Sequence, residues 1–223
     1  MKPKRMLRAV VFDLYETLVT ESGAGIRNAG SLGESFGLDA YAFRREWKPL
    51  RPLVLCGRLT FHAALTEVGA RLGVATPFAL VQQACDERAR EKATIFRRID
   101  PAVITLTHDL HERGLKLAVV SNCMAEDVAA WADSPLASQF ACTMFSFAAG
   151  VVKPDARIYL EVLRQLDVNA EHALYIGDGG DDELAGARQA GLSAAQAAWF
   201  VSRDRSDSAL VLHTPEDVRR LAL

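Results

Sequence analysis

No stretch of this 223-residue chain is long and apolar enough to cross a bilayer. The basic start Met1-Lys2-Pro3-Lys4-Arg5 resembles the first part of a secretory signal, but the apolar run behind it is short and ends at Asp13. Cysteine is sparse: Cys56, Cys85, Cys123 and Cys142 show no CxxC spacing, and no paired histidines accompany them. Disulfide-rich and zinc-ribbon classes are thereby excluded, and reduced thiols in a cytoplasmic protein are expected. Charge of one sign is also lacking. A formal net charge of −2 gives no basic field for nucleic acid and none for an anionic membrane. Internal repeats and low-complexity tracts are absent. What remains is ordinary globular composition, 50% hydrophobic and 24% charged, enough to bury a sizeable core.

Leu7 to Phe12 is short, apolar and partly β-branched, as a buried parallel strand requires. A loop loosened by Gly23, Gly25 and Gly30 follows. From about Ile26 to Ala93 the pattern is helical. Ala42, Phe43, Trp47 and Leu50 recur at helical spacing, as do Phe61, Ala64, Leu65, Val68 and Leu72 before Gly73. Thr76-Pro77 reads as a cap with proline at the first helical position, opening a helix through Cys85. The rhythm then changes. Helix is expected at Pro101–Arg113, near Glu126–Trp131, at Asp155–Leu166, Asp182–Ala190 and Glu216–Leu221. Strands are expected at Leu115–Val120, Phe140–Phe145 and Ala173–Ile176, with weaker ones at Ala194–Phe200 and Ala209–Leu212. Such alternation implies an α/β fold with a parallel sheet covered on both faces. The helical block separates the first strand from the others, so it reads as an insertion into one core: core at 1–20 and 97–223, all-helical cap at 21–96.

Ligands of open α/β sheets bind beyond the carboxyl ends of the strands. Four polar constellations stand after apolar or small-residue segments: Asp13 in Asp13-Leu14-Tyr15-Glu16-Thr17; Ser121-Asn122; Lys153-Pro154-Asp155; and Gly177-Asp178-Gly179-Gly180-Asp181-Asp182-Glu183. An aspartate can attack an electrophile and form an acyl intermediate. Ser121 and Asn122 precede an expected helix, whose free N–H groups suit an anion. Lys153 supplies a fixed positive charge. Asp178 with Asp182 or Glu183 adds carboxylates near Asp13. Clustered carboxylates resist ionisation unless a cation joins them, and Mg²⁺ is the natural one. Singly, each constellation is ordinary cap or turn chemistry; together, their order is informative.

In order and placement the four resemble the motifs of the haloacid dehalogenase superfamily, over nearly the whole chain. The resemblance implies a Rossmann-like parallel-sheet core with an inserted helical cap and Asp13 as covalent nucleophile. It implies that Ser121 binds the transferred group with Asn122 beside it, that Lys153 is the third-motif lysine, and that Thr17 is the first-motif threonine. Asp178, with Asp182 or Glu183, matches the acidic fourth motif; the carbonyl of Tyr15 would join Asp13 in holding the metal.

One position departs from the family's phosphatases. They carry a second aspartate two residues after the nucleophile, to protonate the leaving group; here it is Tyr15, as in 2-haloacid dehalogenases, whose departing halide needs no proton. The fourth motif points the other way, since Gly177-Asp178 resembles the Mg²⁺-dependent phosphatases. Glu16, where the family often has glycine, adds a carboxylate, although a solvent-facing loop residue is the simpler reading. Arg58, beside the Cys56-Gly57 turn, can reach over the core toward an anionic substrate group, against the plainer reading of a solvated arginine. The tryptophans Trp47, Trp131 and Trp199 read as core or interface residues. His108 and His111 share a helix face without carboxylates to complete a metal site.

Three functions remain. The first is a Mg²⁺-dependent phosphatase of small phosphorylated metabolites. The second is a metal-independent 2-haloacid dehalogenase. The third is a ligand-binding or regulatory protein of low activity on the same scaffold. Each takes a small anionic partner rather than nucleic acid or membrane. The sequence leaves the substrate and the oligomeric state undetermined.

Overall fold

The computed structural model describes residues 6–27, 29–203 and 210–222. The basic start and Ala209 lie outside them. Among the described residues, six parallel strands form one sheet in the order β3-β2-β1-β4-β5-β6. The strands are β1 Ala9–Phe12, β2 Lys116–Ser121, β3 Phe140–Phe145, β4 Ala173–Gly177, β5 Ser193–Ala197 and β6 Leu210–Leu212. This is the expected Rossmann-like architecture.

β1 sits at the centre, with Phe12 in register with Val119 of β2 and Ile176 of β4. All four of its residues are fully buried, as a strand covered on both faces requires. Alternation sends Val10 and Phe12 to one face, Ala9 and Val11 to the other, into separate apolar clusters. The first face is covered by α5 (Pro101–Glu112) and α9 (Pro215–Ala222), the second by α7 (Ala156–Leu166) and α8 (Glu183–Gln189). α7 buries Ile158, Tyr159, Val162, Leu163 and Leu166, the 3.6-residue stripe legible in the sequence. Each such side chain contributes about 1.5–3 kcal/mol. Asp155 caps this helix by accepting from Arg157 N at 2.9 Å, and Asp100 caps α5 the same way from Ala102 N at 2.7 Å.

Between β1 and β2 lie α1 (Ala29–Ser35), α2 (Ala40–Leu55), α3 (Phe61–Arg71) and α4 (Phe78–Phe96). They share a third apolar cluster built on Phe43, Trp47, Leu50, Phe61, Leu65 and Val81, which Met124 joins and the partly buried Val152 packs against from beyond β2. A short helix, α6 (Ser146–Ala149), follows β3.

Several local expectations need correction. Glu126–Trp131 is not a helix; it holds the 3₁₀ turn Ala125–Asp127 and the start of a second, Trp131–Asp133. Pro135 drives Ser134 to extended backbone, and the Asp127 carboxylate turns back to accept from Met124 N at 3.0 Å. α4 begins one residue later than expected, with Pro77 at the cap position and no side-chain cap bond, and runs on to Phe96. β5 stops at Ala197, where its pairing with β6 ends. Trp47 and Trp131 are buried; Trp199 is half-buried and donates from Nε1 to the Thr17 carbonyl at 2.9 Å. His108 and His111 are exposed. All four cysteines are free.

Candidate active site

The strand ends converge on a cavity of about 520 Å³ between the sheet and the helical block. Asp13 leaves the centre of the sheet with its N–H bonded to the Ile176 carbonyl at 2.8 Å. Register therefore brings it beside Val120-Ser121 on one side and Gly177-Asp178 on the other. Asp13, Asp178 and Glu183 are buried, and each offers a carboxylate oxygen within 4.8 Å of the other two. Lys153, 5% exposed, sits among them. Its ammonium bonds to Asp13, to Glu183 Oε2 at 2.5 Å and to the Tyr175 hydroxyl at 3.2 Å.

The electrostatics follow from burial. The Asp13 carboxyl is pushed up to about 8 by loss of water and then by the Glu183 charge, with Lys153 opposing. Burial alone would lower the Lys153 ammonium, but the Asp13 and Glu183 carboxylates hold it above the ordinary lysine range. The three acids and Lys153 thus carry more negative than positive formal charge in a buried cluster. Three buried hard oxygen donors so placed fit a divalent cation such as Mg²⁺.

Glu183 is fixed by its surroundings. Oε2 accepts from the Tyr175 hydroxyl at 2.7 Å, and Oε1 from Gly179 N at 2.9 Å. The carboxylate passes so close over Gly177 that a Cβ there would stand 2.1 Å from Oε1. Asp178 is held by Gly180 N at 2.7 Å and, on its other oxygen, by Arg203 through Nε and Nη2, both at 2.7 Å. Gln196, buried at the end of β5, donates to the carbonyls of both Asp178 and Arg203 and so keeps the two segments together. Asn122 clamps Lys153: Nδ2 donates to its carbonyl at 3.0 Å and Oδ1 accepts from its N–H at 2.8 Å, while Nδ2 also reaches Asp181 Oδ2.

Of the residues singled out in the sequence, Asp13, Tyr15, Ser121, Asn122, Lys153, Asp178 and Glu183 line the cavity. Three do not. Asp182 is exposed, because it and Asp181 take left-handed backbone (φ 53° and 49°) that turns the chain before α8 begins; Glu183 supplies the third carboxylate. Arg58 is exposed and lies off the cavity lining. Thr17 is fully buried and off the lining, its hydroxyl without a hydrogen-bond partner among the described residues.

Tyr15 is not poised for proton transfer. Its hydroxyl donates to the Asp127 carbonyl at 2.7 Å, and burial, then the Asp127 charge, pushes the phenol well above its ordinary value. Glu16 is a half-buried lining residue, not a solvent-facing one; Thr20 and Glu21 N occupy its two oxygens. Ser121-Asn122 leads into a 3₁₀ turn, not a helix. Cys123 is buried, and desolvation raises its thiol.

The sequence reading missed the charged roof. Arg88 pairs with Asp127 at 2.6 Å, Lys92 with Glu21, and Arg27 with Glu87 and Glu91 at 2.8 and 2.5 Å. Arg203 and Tyr175 were missed as well. None has a spacing signature; only Tyr175, in the buried strand directly before Gly177-Asp178, had a placement that could have pointed to it.

A carboxylate at the end of the central strand, a buried lysine beside it and two further acids together form the kind of polar cluster that a hydrolase site on a parallel α/β sheet uses. The chain belongs to the haloacid dehalogenase-like hydrolase family, whose model matches residues 7–191. It is 35% identical over 95 residues to a glyceraldehyde 3-phosphate phosphatase of Methanopyrus kandleri, covering 41% of this chain and 40% of the relative. It is 31% identical over 115 residues to a phosphoserine phosphatase of Thermus thermophilus, covering 48% and 46%. The chain thus spans less than half the length of these curated relatives. In fold it is similar to a 2-haloacid dehalogenase from Pseudomonas syringae, with a TM-score of 0.67, 22% identity and 97% and 98% coverage. It is equally similar to a HAD phosphatase from Thermococcus onnurineus, with a TM-score of 0.67, 16% identity and 96% and 97% coverage. Among the described residues no helix is long and apolar enough to cross a membrane.

Proposed function

We propose that this protein is a Mg²⁺-dependent phosphatase of small phosphorylated metabolites, acting through an aspartyl-phosphate at Asp13. The observation that carries the reading is the buried trio Asp13, Asp178 and Glu183, with carboxylate oxygens within 4.8 Å of one another. Two partial relatives named as phosphatases support it. Asp13, Asp178 and Glu183 would hold the cation, with the Tyr15 carbonyl as a further donor. A bound cation offsets charge on the phosphoryl oxygens and favours the ionised form of its ligands.

The chain's own residues do the rest. Asp13 Oδ attacks phosphorus and is released when water attacks the same phosphorus. Lys153, tied to Asp13 and Glu183, keeps the nucleophile aligned and faces the incoming dianion. Ser121, beside Asp13 on the lining, offers a hydroxyl to a phosphoryl oxygen. Asn122 keeps Lys153 in position through its backbone. The helices 29–96 act as a cap that keeps bulk water from the acyl phosphate.

Phosphate release from 4-nitrophenyl phosphate tests this, with Mg²⁺ and with EDTA, beside Asp13→Asn. Release that needs both Mg²⁺ and Asp13 is expected; release unaffected by EDTA or by the substitution would sink the reading. The second reading is a 2-haloacid dehalogenase, favoured by Tyr15, whose engaged phenol suits a leaving group that needs no proton. It requires chloride release from 2-chloropropionate that EDTA leaves unchanged.

A further inference from the structure

A cavity of about 520 Å³ can enclose a whole small molecule, so its walls beyond Asp13 meet the rest of the substrate. The cations on those walls are nearly all committed. Arg27 pairs with Glu87 and Glu91, Arg88 with Asp127, and Lys92 with Glu21. Lys153 is shared between Asp13 and Glu183, and Arg203 holds Asp178. Arg51 is the exception. It lines the same cavity, and among the described residues no carboxylate, carbonyl or ring engages its guanidinium.

Helix geometry explains its place. Phe43, Trp47, Arg51 and Leu55 stand at four-residue spacing on α2, so their side chains follow one another along one face. All four line the cavity. Phe43, Trp47 and Leu55 are buried, whereas Arg51 is exposed, so the row is apolar with a single charge in it. A guanidinium stays charged at any pH a protein meets, which makes Arg51 a permanent cation on the helical side of the cavity. The end of α2 is also seated on the core. Gly57, just beyond it, passes so close to the carbonyl of Phe147 in α6 that no Cβ would fit.

We propose that Arg51 binds a carboxylate carried by the substrate at the end remote from its phosphoryl group. The inference rests on the phosphatase reading above and narrows it to phosphate monoesters of hydroxy acids with a short apolar body. The phosphoryl end goes to Asp13 and Lys153 on the sheet side. The apolar row on α2 faces the carbon body. The planar fork of Arg51 matches a carboxylate, which it can hold through two parallel N–H donors. One unpaired cation balances the single charge of a carboxylate; a second phosphoryl group would bring nearly twice as much.

The test compares 4-carboxyphenyl phosphate with 4-carbamoylphenyl phosphate, which match in shape and differ in charge, in the presence of Mg²⁺. The readout is the ratio of their kcat/KM values on wild type, Arg51→Gln and Arg51→Glu, so that any intrinsic difference between the esters cancels. From wild type to Arg51→Gln the ratio should fall about 10-fold, the size of one charge-assisted hydrogen-bonded contact, and the change should lie in KM. Arg51→Glu should push the ratio lower still, because like charges repel. A fall of less than about three-fold in Arg51→Gln, smaller than such a contact supplies, would overturn the proposal and leave the phosphatase reading standing. Wild-type protein that releases phosphate from neither ester overturns the phosphatase reading. The esters are then intact ligands, and calorimetric Kd values on wild type and Arg51→Gln carry the same ratio. A 10-fold fall in that ratio would keep the carboxylate site; an equal ratio, or no binding, would remove it.

Discussion

Replacing Asp13 should make the protein more stable. The folded Asp13 carboxyl is raised from 3.8 to about 8, chiefly by burial and then by Glu183. A raised carboxyl keeps its proton in the folded state over a pH range where the unfolded chain has lost it. Stability from this group is therefore highest below about pH 4 and falls by about 1.4 kcal/mol per pH unit until about pH 8. At pH 7 the window crossed is about three units, a cost on the order of 4 kcal/mol. Local relaxation and water entry reduce such costs, so about 2 kcal/mol is a working figure. Asp13→Asn keeps the size, removes the ionisation and leaves Lys153 paired with Glu183. It should raise Tm at pH 7 by about 4–8 °C, at about 2–4 °C per kcal/mol for a chain of this length. The assay is thermal unfolding of both proteins in EDTA at pH 4, 7 and 8.5. The gain should vanish at pH 4, and Mg²⁺ should narrow it at pH 7 by stabilising wild type through mass action. A variant less stable than wild type at pH 7, or one with the same gain at pH 4 as at pH 7, would refute the reasoning.

Other substitutions probe the shell around the trio. Arg203→Ala frees an Asp178 oxygen from a guanidinium bound at 2.7 Å, so Mg²⁺ should bind about ten-fold more tightly by calorimetry, at the free energy of one good charge pair; unchanged or weaker binding would mean that the arginine does not compete with the cation. Thr17→Val removes a buried hydroxyl without a partner among the described residues and should raise stability by about 1 kcal/mol in urea unfolding, with phosphate release retained; lost activity would restore Thr17 to the site. Gly177→Ala places a methyl 2.1 Å from Glu183 Oε1, in a carboxylate fixed by Lys153, Tyr175 and Gly179, and should cost about 1–3 kcal/mol as overpacking does. A change within 0.5 kcal/mol would show that Glu183 moves freely.

The parts of the site that could be read from sequence are those set by local pattern. Asp13, Ser121 and Asp178 each follow an apolar strand, and strand ends in parallel sheets point to one side, so their meeting was implied by alternation alone. The stripe on α7 was legible for the same reason. The choice between Asp182 and Glu183 was not, because it depends on consecutive left-handed residues at 181 and 182 that neither glycine nor asparagine announces. Lys92 and Arg203 were invisible for a different reason. Their partners lie 71 and 25 residues away, with no periodicity to connect them. The expected helix at Glu126–Trp131 failed because the apolar spacing there serves side chains packed under a loop, with Pro135 close behind.

The helices 29–96 carry an apolar core of their own, which Met124 and the partly buried Val152 join from beyond β2. Heredity can therefore treat the molecule as two texts. A substitution at Phe43 or Trp47 repacks the roof of the cavity and leaves the registers that aim Asp13, Ser121 and Asp178 untouched. A graft of the whole helical block would have two apolar seams to match, one at Met124 and Val152, the other where Ile95 and Phe96 enter the core beneath.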